Sequence, residues 1–212
     1  MNDLHLAAAF TRLAHLQQRQ ETGCNRYTSP EINSRSRSVE ASKSLWNKLP
    51  HDAQNLLIDQ LKLRIDVLSA RHVANILWSV ARLRGLDGLL TSNDGLGQDI
   101  VSASLRSLPQ CTAQELSCSI WALARLKWQN IEPGWISIFQ QSCSLQWSNF
   151  NRQEMSMILW SLATLEWRDP LFSSRGNYDD DGNDQPLSPW MDQILSHQVI
   201  FRVTSRCNYI PS

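Results

Sequence analysis

Apolar residues follow a helical rhythm along this chain, and part of that rhythm is written three times. The stretch Gln114 to Trp128 (QELSCSIWALARLKW) returns as Gln153 to Trp167 (QEMSMILWSLATLEW), without a gap, at an offset of 39 residues. A shorter copy, Val73 to Leu83 (VANILWSVARL), lies upstream. Apolar positions three and four apart mark one face of an amphipathic helix. The copies therefore predict helices at 71–84, 112–128 and 151–167, each centred on a tryptophan: Trp78, Trp121 and Trp160. Self-similarity at a period near 40 residues is the signature of a stacked helical array.

The intervening pattern supplies a second helix for each Trp helix. Gln98 to Leu108 reads as one, stopped by Pro109; Trp135 to Leu145 reads as another, just after Pro133. Ser188-Pro189-Trp190 opens a third that runs to about Phe201. Trp135 follows Trp121 by 14 residues, whereas Trp190 follows Trp160 by 30. The excess is the acidic stretch 168–188, read as a loop inserted between two helices of one repeat. Thr112 with Glu115, and Asn151 with Glu154, have the spacing of capping boxes. Small residues at Ala74, Ser117 and Ser156, and at Ala81, Ala124 and Ala163, are expected to let neighbouring helices approach closely.

Upstream, His51 to Leu68 carries Leu56, Leu57, Leu61, Ile65 and Leu68 at helical spacing, after a proline suited to a helix start. Residues 3–19 read as a partial first copy, with Arg12 in register with Arg82 and Ala8 in the tryptophan's place. Residues 20–44 lose the periodicity and hold the run Ser34-Arg35-Ser36-Arg37-Ser38, which predicts a disordered insertion. The expected fold is all-α: an α-solenoid of stacked helix-turn-helix repeats of about 38–40 residues. The array spans 45–201 and leaves a tail at 202–212. Neither end carries a polar capping repeat of the kind solenoids need for solubility, so the chain is expected to belong to a longer array.

Composition changes this picture little. The 212 residues are 42% hydrophobic, enough for a packed core, with formal net charge +0, so nucleic-acid binding would need a local basic patch. Five cysteines, with no Cys-x-x-Cys spacing, read as buried free thiols. No apolar run is long enough to span a bilayer, and neither a signal nor a transit peptide is visible. The five histidines lack metal-site spacing, and the acidic run 179–184 lacks the closing glutamate of a calcium loop. No catalytic residues, metal, cofactor or small-molecule substrate are expected.

At Trp121-Ala-Leu-Ala-Arg-Leu126 and its copies, the chain resembles the octotricopeptide repeat family, related to the repeats of FAST-kinase-like and RAP-domain proteins. Glu132-Pro133-Gly134-Trp135 and Ser188-Pro189-Trp190 resemble a shortened form of that family's Pro-x-x-Glu-Trp element; Leu96 stands where the earlier repeat would have it. The resemblance implies binding of single-stranded RNA in chloroplast or mitochondrion, acting non-catalytically in RNA processing, stability or translation. The alternative is a protein–protein interaction scaffold, which zero net charge and the acidic insertion favour.

Two sets of residues are candidates for RNA contact. Arg82 and Arg125 recur at one position, and Arg84 and Lys127 two residues later; in a stacked array they would form a ladder along phosphates. The third copy breaks it with Thr164 and Glu166. The second set varies between copies in the first turns of the Trp helices, as base-reading positions would: His72 and Asn75, then Glu115, then Glu154, with Cys118 and Met157 less suited. Trp78, Trp121 and Trp160 sit amid Ile, Leu and Ala, and are expected in the core rather than under bases. Trp128 and Trp167, at the helix ends, are expected half exposed.

Overall fold

Local signals in the sequence start most of the helices seen in the computed structural model, which describes residues 2–23, 44–83, 86, 95–128 and 131–165. The helices are α1 (Asp3–Gly23), α2 (Leu45–Lys48), α3 (His51–Arg64), α4 (Ala70–Arg82), α5 (Leu96–Ser107), α6 (Ala113–Arg125), α7 (Pro133–Leu145) and α8 (Arg152–Thr164). Single 3-10 turns, Leu108–Gln110 and Trp147–Asn149, follow α5 and α7. Among the described residues there is no strand, so the fold is all-α.

Both expected capping boxes form. Thr112 Oγ1 accepts from the Glu115 N–H at 3.4 Å, while the Glu115 carboxylate accepts from the Thr112 N–H at 2.9 Å. Asn151 and Glu154 do the same, at 2.9 Å each way. Helix α7 starts on Pro133, whose missing N–H costs nothing in a first turn. Helix α5 starts after Gly95, held at φ 75°, a left-handed conformation that glycine adopts without penalty.

The Trp helices pack in sequence, α4 on α6 and α6 on α8, and α1 packs on α4 from the other side. Helices α2 and α3 lie against α1, α5 against α4, and α7 against α6 and α5. The core runs continuously between these partners: Leu6 and Phe10 of α1, Ile76 and Leu77 of α4, Leu116 and Ile120 of α6, and Ile158 of α8 belong to one buried cluster. Burial of the Trp helices follows their place in the row. Helix α6, flanked on both sides, buries Leu116, Ser117, Ser119, Ile120, Ala122, Leu123 and Ala124. Helix α8 buries only Met155, Ile158, Ser161 and Leu162. Ala74, Ser117 and Ala124 are buried at helix contacts, but Ser156 and Ala163 of α8 are exposed.

Two large aromatics anchor the outer partners. Trp46 of α2 stacks on Phe10 at 6.2 Å and 13°. Trp135 of α7 stacks on Phe139 at 5.2 Å, and its indole N–H donates to Ser104 Oγ of α5 at 2.8 Å. Leu96, at the equivalent start of α5, is also buried. The serines inside the Trp helices turn inward at no polar cost: Ser79, Ser119 and Ser161 each donate to the carbonyl four residues back.

Three sequence expectations change. Helix α1 continues to Gly23, past the expected end at residue 19. Ser44, placed in the disordered insertion, is buried and caps α2, accepting from the Trp46 N–H at 3.1 Å. The buried Gln17 side chain holds this junction, accepting from the Leu45 N–H at 2.7 Å. Helix α3 ends at Arg64 rather than Leu68, and Leu56 on it is exposed. Residues 24–43, the acidic loop 168–188, the last expected helix to Phe201 and the tail 202–212 lie outside the described residues.

Candidate nucleic-acid interface

Position in the helix separates the two candidate sets. His72 and Asn75 lie in the first turns of α4, and Arg82 is its last residue. Ten residues of helix span about 15 Å, so first-turn and last-turn residues occupy opposite ends of the row. The structure does not bring the sequence candidates into one site.

In α6 and α8 the first-turn end is engaged in capping by a glutamate, whereas α4 carries Arg71 and His72 there. The Glu115 and Glu154 carboxylates are held by their own N-cap backbones. Cys118 lies between them: burial, then Glu154, then Glu115 push its thiol up from the usual range. Cys111 is pushed up to about 11, first by burial and then by Glu115, and burial pushes Cys143 higher still. All three thiols are therefore protonated at neutral pH and poor nucleophiles. His72 and Asn75 are half-buried, and His72 Nδ1 is buried without a hydrogen-bond partner among the described residues. The acids sit where helix N-termini favour negative charge, so they stabilise the helices and repel phosphate.

The last-turn end is built differently. The Arg82 guanidinium lies over the ring of Trp78, on its own helix, at 5.2 Å, and over the ring of Trp121 on α6, also at 5.2 Å. The four-residue step from Trp78 to Arg82 puts both on one helix face, and α6 delivers Trp121 to the guanidinium's other side. His15 of α1 also meets Trp78, with ring centroids 5.1 Å apart and the rings tilted by 48°. His15, Trp78, Arg82 and Trp121 thus meet in one cluster across three helices.

Charge marks the same end. Arg82 Nε is buried without a hydrogen-bond partner among the described residues. Burial, and then the neighbouring Arg125, lower the Arg82 pKa from its usual value, partly offset by Glu21. The side chain stays cationic, since arginine is not deprotonated in proteins. Arg125 is exposed, and so is Lys127. Lys127 is the one non-glycine residue with positive φ among the described residues, at 51°. It occupies the left-handed position of a Schellman motif, in which Lys127 N donates to Ala124 O and Trp128 N to Leu123 O, each at 3.0 Å. Arg84 lies outside the described residues.

The Trp-helix indoles, expected in the core, lie at its margin: Trp78 and Trp121 pack against the buried cluster, and Trp160 does not. Trp78 and Trp121 are half-buried, while Trp160 is 46% exposed. Among the described residues, the fully buried indoles are Trp46 and Trp135. Trp128 is half-buried, as expected, and Trp167 lies outside the described residues. The four-residue step from Trp78 to Arg82 is a signal in the sequence that puts this indole beside a charge. Among the described residues, no cluster of His, Cys, Asp or Glu could hold a metal ion, and no helix is long and apolar enough to cross a membrane.

No protein-family model matches this sequence, and no curated protein matches it.

Proposed function

We propose that this protein binds single-stranded RNA along the last-turn edge of its Trp helices, as a non-catalytic α-solenoid of the octotricopeptide kind. The observation that carries this reading is the cluster of His15, Trp78, Arg82 and Trp121, with Arg125 and Lys127 exposed at the same end of the helices. Single-strand binders combine a cationic track for the backbone with aromatic faces for the bases. Both ingredients occur here at one end of the row. Successive packing of α1, α4, α6 and α8 on their neighbours supports the solenoid. The organelle, chloroplast or mitochondrion, rests on the sequence resemblance alone.

The reading differs from the sequence expectation in one respect. Base contact moves from the first turns, where Glu115 and Glu154 are occupied as caps, to the tryptophan end. The test is binding of the whole chain to a pool of short single-stranded RNAs at two salt concentrations. Affinity should fall steeply with salt, because each phosphate contact releases counterions. No binding at low salt, by a sample folded by circular dichroism, removes this reading and leaves the protein-interaction scaffold.

A further inference from the structure

Helix α3 is apolar on two sides. One side is buried: Leu61 and Ile65 belong to the core cluster, and Leu57 and Ile58 pack against it. The other side meets solvent. Leu56 and Leu63 are 57% and 75% exposed, and Val67, in the turn after the helix, is 69% exposed. Leu56 and Leu63 stand seven residues apart, about two helical turns, and so share a face. The outer helices α5 and α7 are built differently. Helix α5 exposes Gln98, Asp99 and Arg106, and α7 exposes Ser137, Gln141 and Ser144, with a leucine exposed only at its last residue. Acids border the apolar stripe of α3. Asp52, Asp59 and Asp66 recur every seven residues, and all three are exposed. Asp52 stands four residues before Leu56, and Asp59 four before Leu63, so each acid neighbours a leucine of the stripe. Asp66, in the turn, also accepts from Arg106 of α5 at 2.6 Å. On α3 itself, Arg64 is held by Asp3 of α1 at 2.9 Å.

We infer that the stripe Leu56, Leu63 and Val67 is a docking surface for a partner protein, which presents an amphipathic helix with lysines or arginines beside its apolar residues. Leucines at a seven-residue step, with charges at the same step alongside, form the pattern by which one helix selects another. The apolar seam supplies affinity, and the flanking charges choose the partner. Here the acids decide the sign. Two antiparallel copies of α3 would set the acid row against itself, and like charges across a helix pair repel. Two parallel copies would set it against Arg64, which Asp3 already holds. A second copy of this chain is therefore a poor occupant. An anionic lipid surface or a phosphate backbone meets the same repulsion. A cationic helix gains on both counts, covering the leucines and meeting Asp52 and Asp59. The inference stands apart from the RNA reading, since it concerns another helix and uses neither Trp78 nor Arg125.

The test uses the whole chain and two fluorescently labelled synthetic peptides. Both are helical, with leucine at a seven-residue step; one carries lysine at the flanking positions and the other glutamate. The unaltered protein should bind the lysine peptide roughly tenfold more tightly, and added salt should narrow the difference. Leu63→Ser should weaken the lysine peptide by roughly tenfold, the loss of one covered apolar side chain. Asp59→Lys should weaken the lysine peptide and strengthen the glutamate peptide, by about fivefold each. Such an exchange of preference cannot come from a general loss of folding. Because Leu63 is exposed, Leu63→Ser should leave the thermal unfolding midpoint nearly unmoved. Equal affinity for the two peptides, no binding of either, or undiminished binding by Leu63→Ser overturns the inference. Self-association of the unaltered chain that Leu63→Ser abolishes, measured by sedimentation, also overturns it and assigns the stripe to a second copy.

Discussion

Lys127 shows most sharply how single residues divide between fold and function. Its φ of 51° places it where glycine is the usual choice, and an L-residue there costs about 1–2 kcal/mol. A glycine at this position would end α6 with less strain. The exposed ammonium, carried to the edge beside Arg125, gives a reason for the strain to persist. Lys127→Gly should leave stability unchanged or raise it by up to about 1 kcal/mol, since relieved strain is partly offset by glycine's unfolded-state entropy. The same variant should reduce the salt dependence of RNA binding by about 0.7 in slope, one phosphate contact on a single strand. Denaturant titration and binding across a salt series check the two halves. A clear loss of stability would mean that the lysine side chain holds the fold. Arg82 divides the opposite way. Its guanidinium lies over both Trp78 and Trp121, and its first role is to join α4 to α6.

At the scale of the element, the three Trp helices were legible because local chemistry and apolar period agreed. Thr112 and Asn151 each stand three residues before a glutamate, and both boxes form. Replacing either cap by alanine should cost about 1 kcal/mol, read as a shift in the denaturation midpoint. An unchanged midpoint would show that packing alone fixes these helix starts. The same boxes explain why Glu115 and Glu154 were poor choices as base readers: position three of a helix is where a glutamate serves the helix itself. Boundaries were less legible. Gln17 fixes α2 through a bond to Leu45, 28 residues away, and no local pattern announces such a contact. Leu56 lies five residues before Leu61 and nine before Ile65, far around the helix from both, and faces solvent, whereas Leu57 falls in register with them. The tryptophans were legible in part. An apolar face says that a side chain packs, and not whether its partner is a leucine or a guanidinium.

On the scale of the whole molecule, net charge was the least informative quantity. Formal charge +0 conceals a separation along the Trp helices. Carboxylates gather at their first turns, where Glu115 and Glu154 cap α6 and α8, and Arg82, Arg125 and Lys127 gather at their last. Helix dipoles favour this arrangement, which therefore supports folding before any ligand is considered. The separation is partial, since the exposed Arg71 and Arg152 lie in the first turns of α4 and α8, and α8 has no basic residue in its last turn. An uneven placement of charge of this kind is how a protein of zero net charge gains a polar binding face.

The central claim is that the last-turn edge, and not the first-turn edge, carries RNA. The most direct measurement is therefore a paired charge reversal, reading affinity for a short single-stranded RNA at low salt. Arg125→Glu reverses an exposed charge in the last turn of α6, and Arg71→Glu reverses an exposed charge in the first turn of α4. The account predicts that Arg125→Glu weakens binding at least tenfold and flattens its salt dependence, while Arg71→Glu leaves both within twofold. Equal losses from the two variants, or a larger loss from Arg71→Glu, would contradict it.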